Sequence, residues 1–164
     1  MIESGPAEIM LRPVNLVEVV DKAIHALETQ AEHAEITLLS EPMDGLCVLA
    51  DQEQVARVLI SLIHNAIKFT PEAGTITIRA EALEADEMIK VTVTDTGPGI
   101  PPEDRERIFE RFYRGDRSRQ SSGTGLGLAI AKHIIKAHSG EIWAEEPDAI
   151  PGAQISFTLP AMDA

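Results

Sequence analysis

Two glycine-rich runs in this chain each adjoin groups that could bind charge. In "VTVTDTGPGIPPED", residues 91–104, an alternating apolar strand runs into Asp95, and Gly97 and Gly99 follow around a proline. A carboxylate at the mouth of such a loop can accept a ligand's hydrogen bond where the backbone is free to approach closely. In "SSGTGLGLAI", residues 121–130, a second glycine run leads into a helix. Free N–H groups and the positive end of a helix dipole there suit an anion. A third group of residues lies on the helix "QEQVARVLISLIHNAIKF". At 100° per residue, Val55, Val58, Leu59, Leu62, Ile63 and Ala66 make one apolar stripe, and Ser61, Asn65 and Lys68 fall within roughly 60° of one another along its flank. An amide oxygen is a suitable Mg²⁺ ligand, and an ammonium suits a phosphate as a point charge. His64 points away from the stripe and reads as a solvated histidine.

The common phosphate loops do not account for these runs. GxxxxGK[ST] is absent, and neither run satisfies GxGxxG, because Pro102 and Leu128 stand where the third glycine belongs. The order of strand, aspartate and loop is also the reverse of a dinucleotide fold, in which the glycines precede the acid. No HRD or DFG marks a eukaryotic-type protein kinase. Cys/His clusters with metal-ligand spacing are missing as well.

Composition bounds the rest. The chain has 164 residues, 44% of them apolar, and a net charge of −13. That length and composition suit one globular domain with a real core. The negative charge argues against a nucleic-acid or anionic-membrane surface. No apolar run approaches the roughly 20 residues that cross a bilayer, and "MIESGPAEIM" lacks the basic and apolar blocks of a signal peptide. The single cysteine, Cys47, excludes an internal disulfide and fits a reducing cytoplasm. Six of the nine arginines fall between Arg105 and Arg119. Arg105 and Arg107 read equally well as part of a solvated helix or of an anion site, whereas Arg114, Arg117 and Arg119 lie beyond that helix.

These groups must be held by elements that the pattern also predicts. "AEIMLRPV" forms a first strand, and Asn15 caps a helix with Leu16, Val19, Val20, Ala23, Ile24 and Leu27 at helical spacing. "EITLLSEP" and "LCVLA" are short strands on either side of a turn. Asp51 caps the long helix that ends before Pro71. "GTITIRAEAL" and "EMIKVTVTD" alternate with period two. Pro101 and Pro102 open a helix through Phe112. "LGLAIAKHIIKAH" is a last helix, and "EIWAEE" and "AQISFTLP" close the chain. Amphipathic helices mixed with adjacent hairpin-like strands cannot make an all-parallel doubly wound fold. The fold class is α+β, a two-layer α/β sandwich with helices on one face of a mixed, mostly antiparallel sheet.

"HNAIKFTP", "DTGPGI", "IFERFYR" and "GTGLGLAI", in that order, resemble the N, G1, F and G2 boxes of sensor histidine kinase ATP-binding domains. These belong to the superfamily of Hsp90, DNA gyrase B and MutL, whose nucleotide fold is the Bergerat fold. The likeness runs from about residue 10 to residue 160 and includes "HSGEIWAEE" and "ISFTLP". It implies that Asp95 accepts a hydrogen bond from the adenine amino group, that Gly97 and Gly99 let the backbone approach the base, and that Phe69 and Ile100 border the ring. It further implies that Gly123, Thr124, Gly125, Leu126 and Gly127 hold the triphosphate, with Leu128 and Ile130 turned inward. Residues from about 100 to 124 would form a mobile ATP lid. Phe109 and Phe112 would anchor its stem, a role that simple core packing explains equally well, and Arg114 would neutralise γ-phosphate charge. Asn65 would hold Mg²⁺ and Lys68 would meet the phosphates.

Hydrolases of the superfamily carry a glutamate four residues before the metal-binding asparagine. Ser61 stands there, and it cannot act as a base at neutral pH. It also departs from the asparagine frequent in histidine kinases, as Ser122 and Ser139 depart from common glycines. None of His25, His33, His64, His133 and His138 lies in an HExxTP-like acceptor setting, and His138 matches the family's structural histidine at a helix end. The resemblance thus implies the catalytic portion of a longer cytoplasmic or membrane-bound kinase. Its expected partners are ATP, a separate dimerisation and phosphoacceptor domain and a response regulator. The alternatives are a nucleotide-gated module of the Hsp90 or gyrase type and an anti-sigma-type serine kinase.

Overall fold

The structure is a computed structural model that describes residues 9–110, 127–147 and 151–162. The chain opens with β1 (Arg12–Asn15) and α1 (Leu16–His33), followed by β2 (Thr37–Ser40), β3 (Cys47–Ala50) and α2 (Gln52–Phe69). β4 (Thr75–Leu83) and β5 (Met88–Asp95) form a hairpin, and α3 (Gly127–Ala137), β6 (Ile142–Glu145) and β7 (Ala153–Pro160) complete the described elements. A five-stranded sheet has the order β2-β4-β5-β7-β6, and β1 pairs with β3 in a separate two-stranded sheet. Among the described strands only the β2–β4 pair is parallel. This is the α+β sandwich that the pattern predicts.

The helices start where their capping residues dictate. The Asn15 side chain accepts the Val17 N–H and the Asp51 side chain accepts that of Gln54, each satisfying a donor that the first turn leaves open. All six predicted stripe residues of α2 are buried. They pack against the face of the sheet that carries Ile76, Ile78, Val91, Val93, Ile155 and Phe157. Strand parity then decides where Asp95 goes: it continues the series Ile89, Val91, Val93 and emerges on the helix-covered face.

The opposite face is polar and satisfies itself across strands. Arg79 donates to Thr94, Thr94 to Gln154, and Gln154 to Glu145. Glu145 also accepts from Trp143 Nε1 and pairs with Lys90, whose Nζ lies 5.6 Å from the Trp143 ring centre. Thr92 and Ser156 pair at 3.0 Å. An antiparallel sheet can leave one face without helices on these terms.

Three predicted features differ. Over residues 101–110, the described part of the helix expected from Pro101 to Phe112, the chain instead makes two 3₁₀ turns, Pro102–Asp104 and Arg107–Phe109. Pro101 holds an extended ψ of 140°, and Glu110 is extended at ψ 144°, so only short i to i+3 closures fit between them. The first strand is limited to Arg12–Asn15 because its partner β3 has only four residues, and the Met10 N–H turns to Asp51 Oδ2 instead. Ile130, expected inward, is 40% exposed, since Ala131, Ile134 and Ile135 make the buried face of α3. Leu128 does pack against the core.

Candidate functional site

Asp95 ends β5 and is 5% exposed. Its Oδ1 accepts the Gly97 N–H at 2.9 Å and the Ala153 N–H at 3.2 Å. A buried carboxylate needs such donors, because an unpaired charge away from water is costly. Gly97 is required for the fit: a Cβ there would stand 2.7 Å from Phe69 O and 3.1 Å from Asp95 Oδ1. The last residue of α2 and the loop after β5 are therefore in backbone contact, which brings Phe69, Asp95 and Gly97 to one corner. Gly99, at φ 90°, lies against the far side of the loop's frame. A Cβ on it would meet Gly152 O at 2.8 Å. Ile100 is buried behind it.

The flank of α2 supplies the polar end. Ser61 and Asn65 are half-buried and Lys68 is exposed. Gly127, the first residue of α3, approaches this flank, and a Cβ on it would lie 4.0 Å from Ser61 Oγ. The close of the second glycine run thus meets α2 one turn before Asn65. Gly123, Thr124, Gly125 and Leu126, together with Phe112, Arg114, Arg117, Arg119 and Ser122, lie outside the described residues. Phe109 is buried in the core. His64 is exposed, as expected, and partial burial followed by the nearby Lys68 charge lowers its pKa.

His138 secures the opposite ends of the same two helices. Its Nδ1 lies 2.8 Å from Ile134 O, which can only accept, so the proton sits on Nδ1. Nε2 then accepts the Asp51 N–H at 3.1 Å. The end of α3 is thereby tied to the cap of α2. Burial opposes ionisation of Asp51, but N–H groups of Met10, Gln54 and Glu53, with His138 nearby, hold its carboxyl below the ordinary value.

Nothing in the sequence pattern points to Ala153. Its contribution is a main-chain N–H, which no side-chain pattern announces. Gly152 is equally silent, because it meets Gly99 through its carbonyl oxygen, which every residue carries.

Among the described residues no three His, Cys, Asp or Glu side chains gather to hold a metal. Beside Ser61 the Asn65 amide oxygen fits a Mg²⁺ ion that keeps several waters and takes its other oxygens from phosphates, whereas the Lys68 ammonium cannot ligate a cation and suits the phosphates themselves. No helix among the described residues is long and apolar enough to cross a membrane.

Residues 50–163 match the family described as histidine kinase-, DNA gyrase B-, and HSP90-like ATPase. The sensor histidine kinase WalK of Bacillus subtilis is 43% identical over 134 residues, which cover 80% of this chain and 22% of WalK. Full-length ShkA, solved with AMPPNP, superposes with a TM-score of 0.81 at 30% identity, covering 98% of this chain and 33% of ShkA. The histidine kinase ThkA, solved in complex with the response regulator TrrA, gives 0.78 at 31% identity, covering 94% of this chain and 42% of ThkA. The chain spans between 22% and 35% of the length of the curated relatives WalK and SasA.

Proposed function

The chain belongs to the histidine kinase-, DNA gyrase B-, and HSP90-like ATPase family, and on that premise we propose that it transfers the γ-phosphoryl group of ATP to a histidine. The acceptor lies on a separate dimerisation and phosphoacceptor domain, and a response regulator takes the group in turn. One observation carries this reading. α2 runs between the two glycine segments, with Phe69 against the loop of the buried Asp95 and Ser61 near Gly127. From Ser61 to Phe69 the helix rises about 12 Å, so a nucleotide lying along it reaches the carboxylate with its base and the start of α3 with its phosphates.

The residues divide accordingly. Asp95 takes the adenine amino group, with Gly97, Gly99, Ile100 and Phe69 around the ring. Lys68 and Arg114 face the phosphates, and Gly123, Thr124, Gly125, Leu126 and Gly127 supply main-chain N–H groups. Asn65 would hold Mg²⁺, which when bound offsets phosphate charge and orients the transferred group. Positioning and electrostatic stabilisation do the rest. Ser61 supports transfer over hydrolysis, because it offers no base to water. With ATP as donor, the reaction belongs on the cytoplasmic side.

The test mixes the protein with ATP, Mg²⁺ and a helical phosphoacceptor domain. Acid-labile, alkali-stable phosphate on that domain is the expected product. Acid-stable phosphoserine would favour the serine-kinase alternative, and rapid release of inorganic phosphate alone would favour the gyrase-like one.

A further inference from the structure

A cavity of about 190 Å³ opens between α1 and the loop that joins β2 to β3. Its floor is apolar: Val20 and Met43 are buried, and Val17 is partly buried. Its rim is acidic, because Asp21, Glu41 and Asp44 line it and all three are exposed. Among the described residues none of these carboxylates has an ion-pair partner. No residue of the proposed nucleotide site lines this cavity.

Main-chain bonds pin its walls. The Met43 C=O accepts the Leu46 N–H at 3.3 Å around Gly45, whose φ of 81° closes the turn that carries Asp44. The Leu46 C=O in turn accepts the Leu16 N–H at 3.0 Å and so fastens the turn to the start of α1. At the other end of the loop, the Glu41 N–H donates to the Ile78 C=O of β4 at 2.9 Å. The cavity is thus preformed, and a ligand entering it has little to reorganise.

Size and lining together define the occupant. Small-molecule pockets measure roughly 300–1,000 Å³, so this one suits a single side chain and not a whole nucleotide or cofactor. Three carboxylates that repel one another favour a cation. A bare metal ion does not fit, since among the described residues no three acidic, His or Cys groups gather closely enough to hold one. A guanidinium does: its planar fork can reach separate carboxylates, it is more weakly hydrated than an ammonium, and its methylene stem suits an apolar floor. We propose that this cavity docks an arginine presented by a protein partner, with its stem on Val17, Val20 and Met43 and its guanidinium among Asp21, Glu41 and Asp44. Free arginine suits the cavity less, because its own carboxylate meets the same acidic rim. The partner leaves the nucleotide site open, as the two share no residue.

An NMR titration of the isotope-labelled protein tests this with four probes. They are a capped tripeptide with arginine at its centre, the same peptide with lysine or neutral citrulline there, and free arginine. The arginine peptide should give saturable shifts centred on the amides of Val20, Asp21, Met43, Asp44 and Gly45. The other three probes should each bind more weakly by more than about threefold. Asp21→Asn and Asp44→Asn, both at exposed positions, should each weaken the arginine peptide by more than about threefold and leave the ATP titration unchanged. Absence of shifts at these amides up to about 10 mM peptide would overturn the proposal. So would shifts spread over other carboxylates of α1, such as Glu28 and Glu32, or a citrulline or lysine peptide that binds within about threefold of the arginine one. Free arginine binding as tightly as the capped peptide would overturn the assignment to a protein partner.

Discussion

Asp95→Asn isolates the charge of the proposed base acceptor from its shape. The side chain keeps its volume and an oxygen at Oδ1, which can still accept the Gly97 and Ala153 N–H groups at 2.9 and 3.2 Å. The fold should therefore change little, by about 1 kcal/mol or less, because two neutral bonds replace two charge-assisted ones. The outer position fares differently. An acceptor oxygen becomes an NH₂ donor, which faces the adenine amino group donor to donor. Hydrogen bonds to charged groups are worth about 1.5–3 kcal/mol. At about 1.4 kcal/mol per factor of ten, ATP affinity should drop by roughly 10- to 150-fold. Calorimetry measures the affinity, and a thermal melt of the same sample measures the fold. Unchanged affinity would remove Asp95 from the site. A melt lowered by about ten degrees would show instead that the carboxylate is chiefly structural, since about 1 kcal/mol corresponds to only about 2–4 °C in a chain of this length.

Other perturbations separate the remaining roles. Asn65→Ala should reduce Mg²⁺-dependent transfer more than it weakens nucleotide binding, and equal losses in phosphotransfer assays and titrations would contradict the metal assignment. At the turn after α3, neighbouring substitutions should act in opposite directions. Gly140→Ala sets a Cβ 1.9 Å from Thr158 O and should cost roughly 3 kcal/mol, whereas Ser139, at φ 65°, should gain about 0.5–1 kcal/mol on replacement by Gly. Denaturant unfolding reads both. Thr70 Oγ1 is buried without a hydrogen-bond partner among the described residues, and Thr70 is extended at ψ 127°. Thr70→Val should thus leave stability unchanged or raise it by up to about 1 kcal/mol, and a clear loss would reveal a partner for that hydroxyl. For Glu145, burial raises the pKa, but bonds from Gln154 and Trp143 and the charge of Lys90 outweigh it, so the carboxyl sits below its ordinary 4.5. A depressed folded value means stability that is present above that range and lost as pH falls through it. Glu145→Gln should flatten this acid limb, and Trp143 fluorescence, from the chain's one tryptophan, follows it directly.

Much of the fold is legible in the sequence because periodicity and capping residues are local signals. The α2 stripe, its Asp51 cap and the alternation in β4 and β5 need no information from elsewhere in the chain. The alternation in β5 also carries Asp95 to the covered face, two residues beyond the buried Val93. What stays hidden depends on partners distant in sequence. The short β1 reflects the length of β3, and the exposure of Ile130 reflects which side of α3 meets the core. The double proline suggests a helix start, yet the extended Glu110 a few residues later leaves room only for 3₁₀ turns. Ala153 and Gly152 act through the main chain, so their residue types carry no trace of what they do.

The close main-chain contacts explain how such a site can be built on ordinary elements. Phe69 meets Gly97 where α2 ends, Gly152 meets Gly99 where β7 begins, and Gly140 meets Thr158 where α3 ends. At the first and last of these points the helical layer touches the sheet through backbone, and at the second two neighbouring strand ends touch, with no side chain between to absorb displacement. A shift of α2 against the sheet is therefore passed directly to the loop that holds Asp95. Because α2 also carries Ser61, Asn65 and Lys68, the same shift moves the proposed phosphate end. The proposed base and phosphate contacts consequently cannot drift apart while the helix packing is intact. Glycine at these positions serves rigidity more than flexibility: it lets two rigid elements come close enough to fix each other.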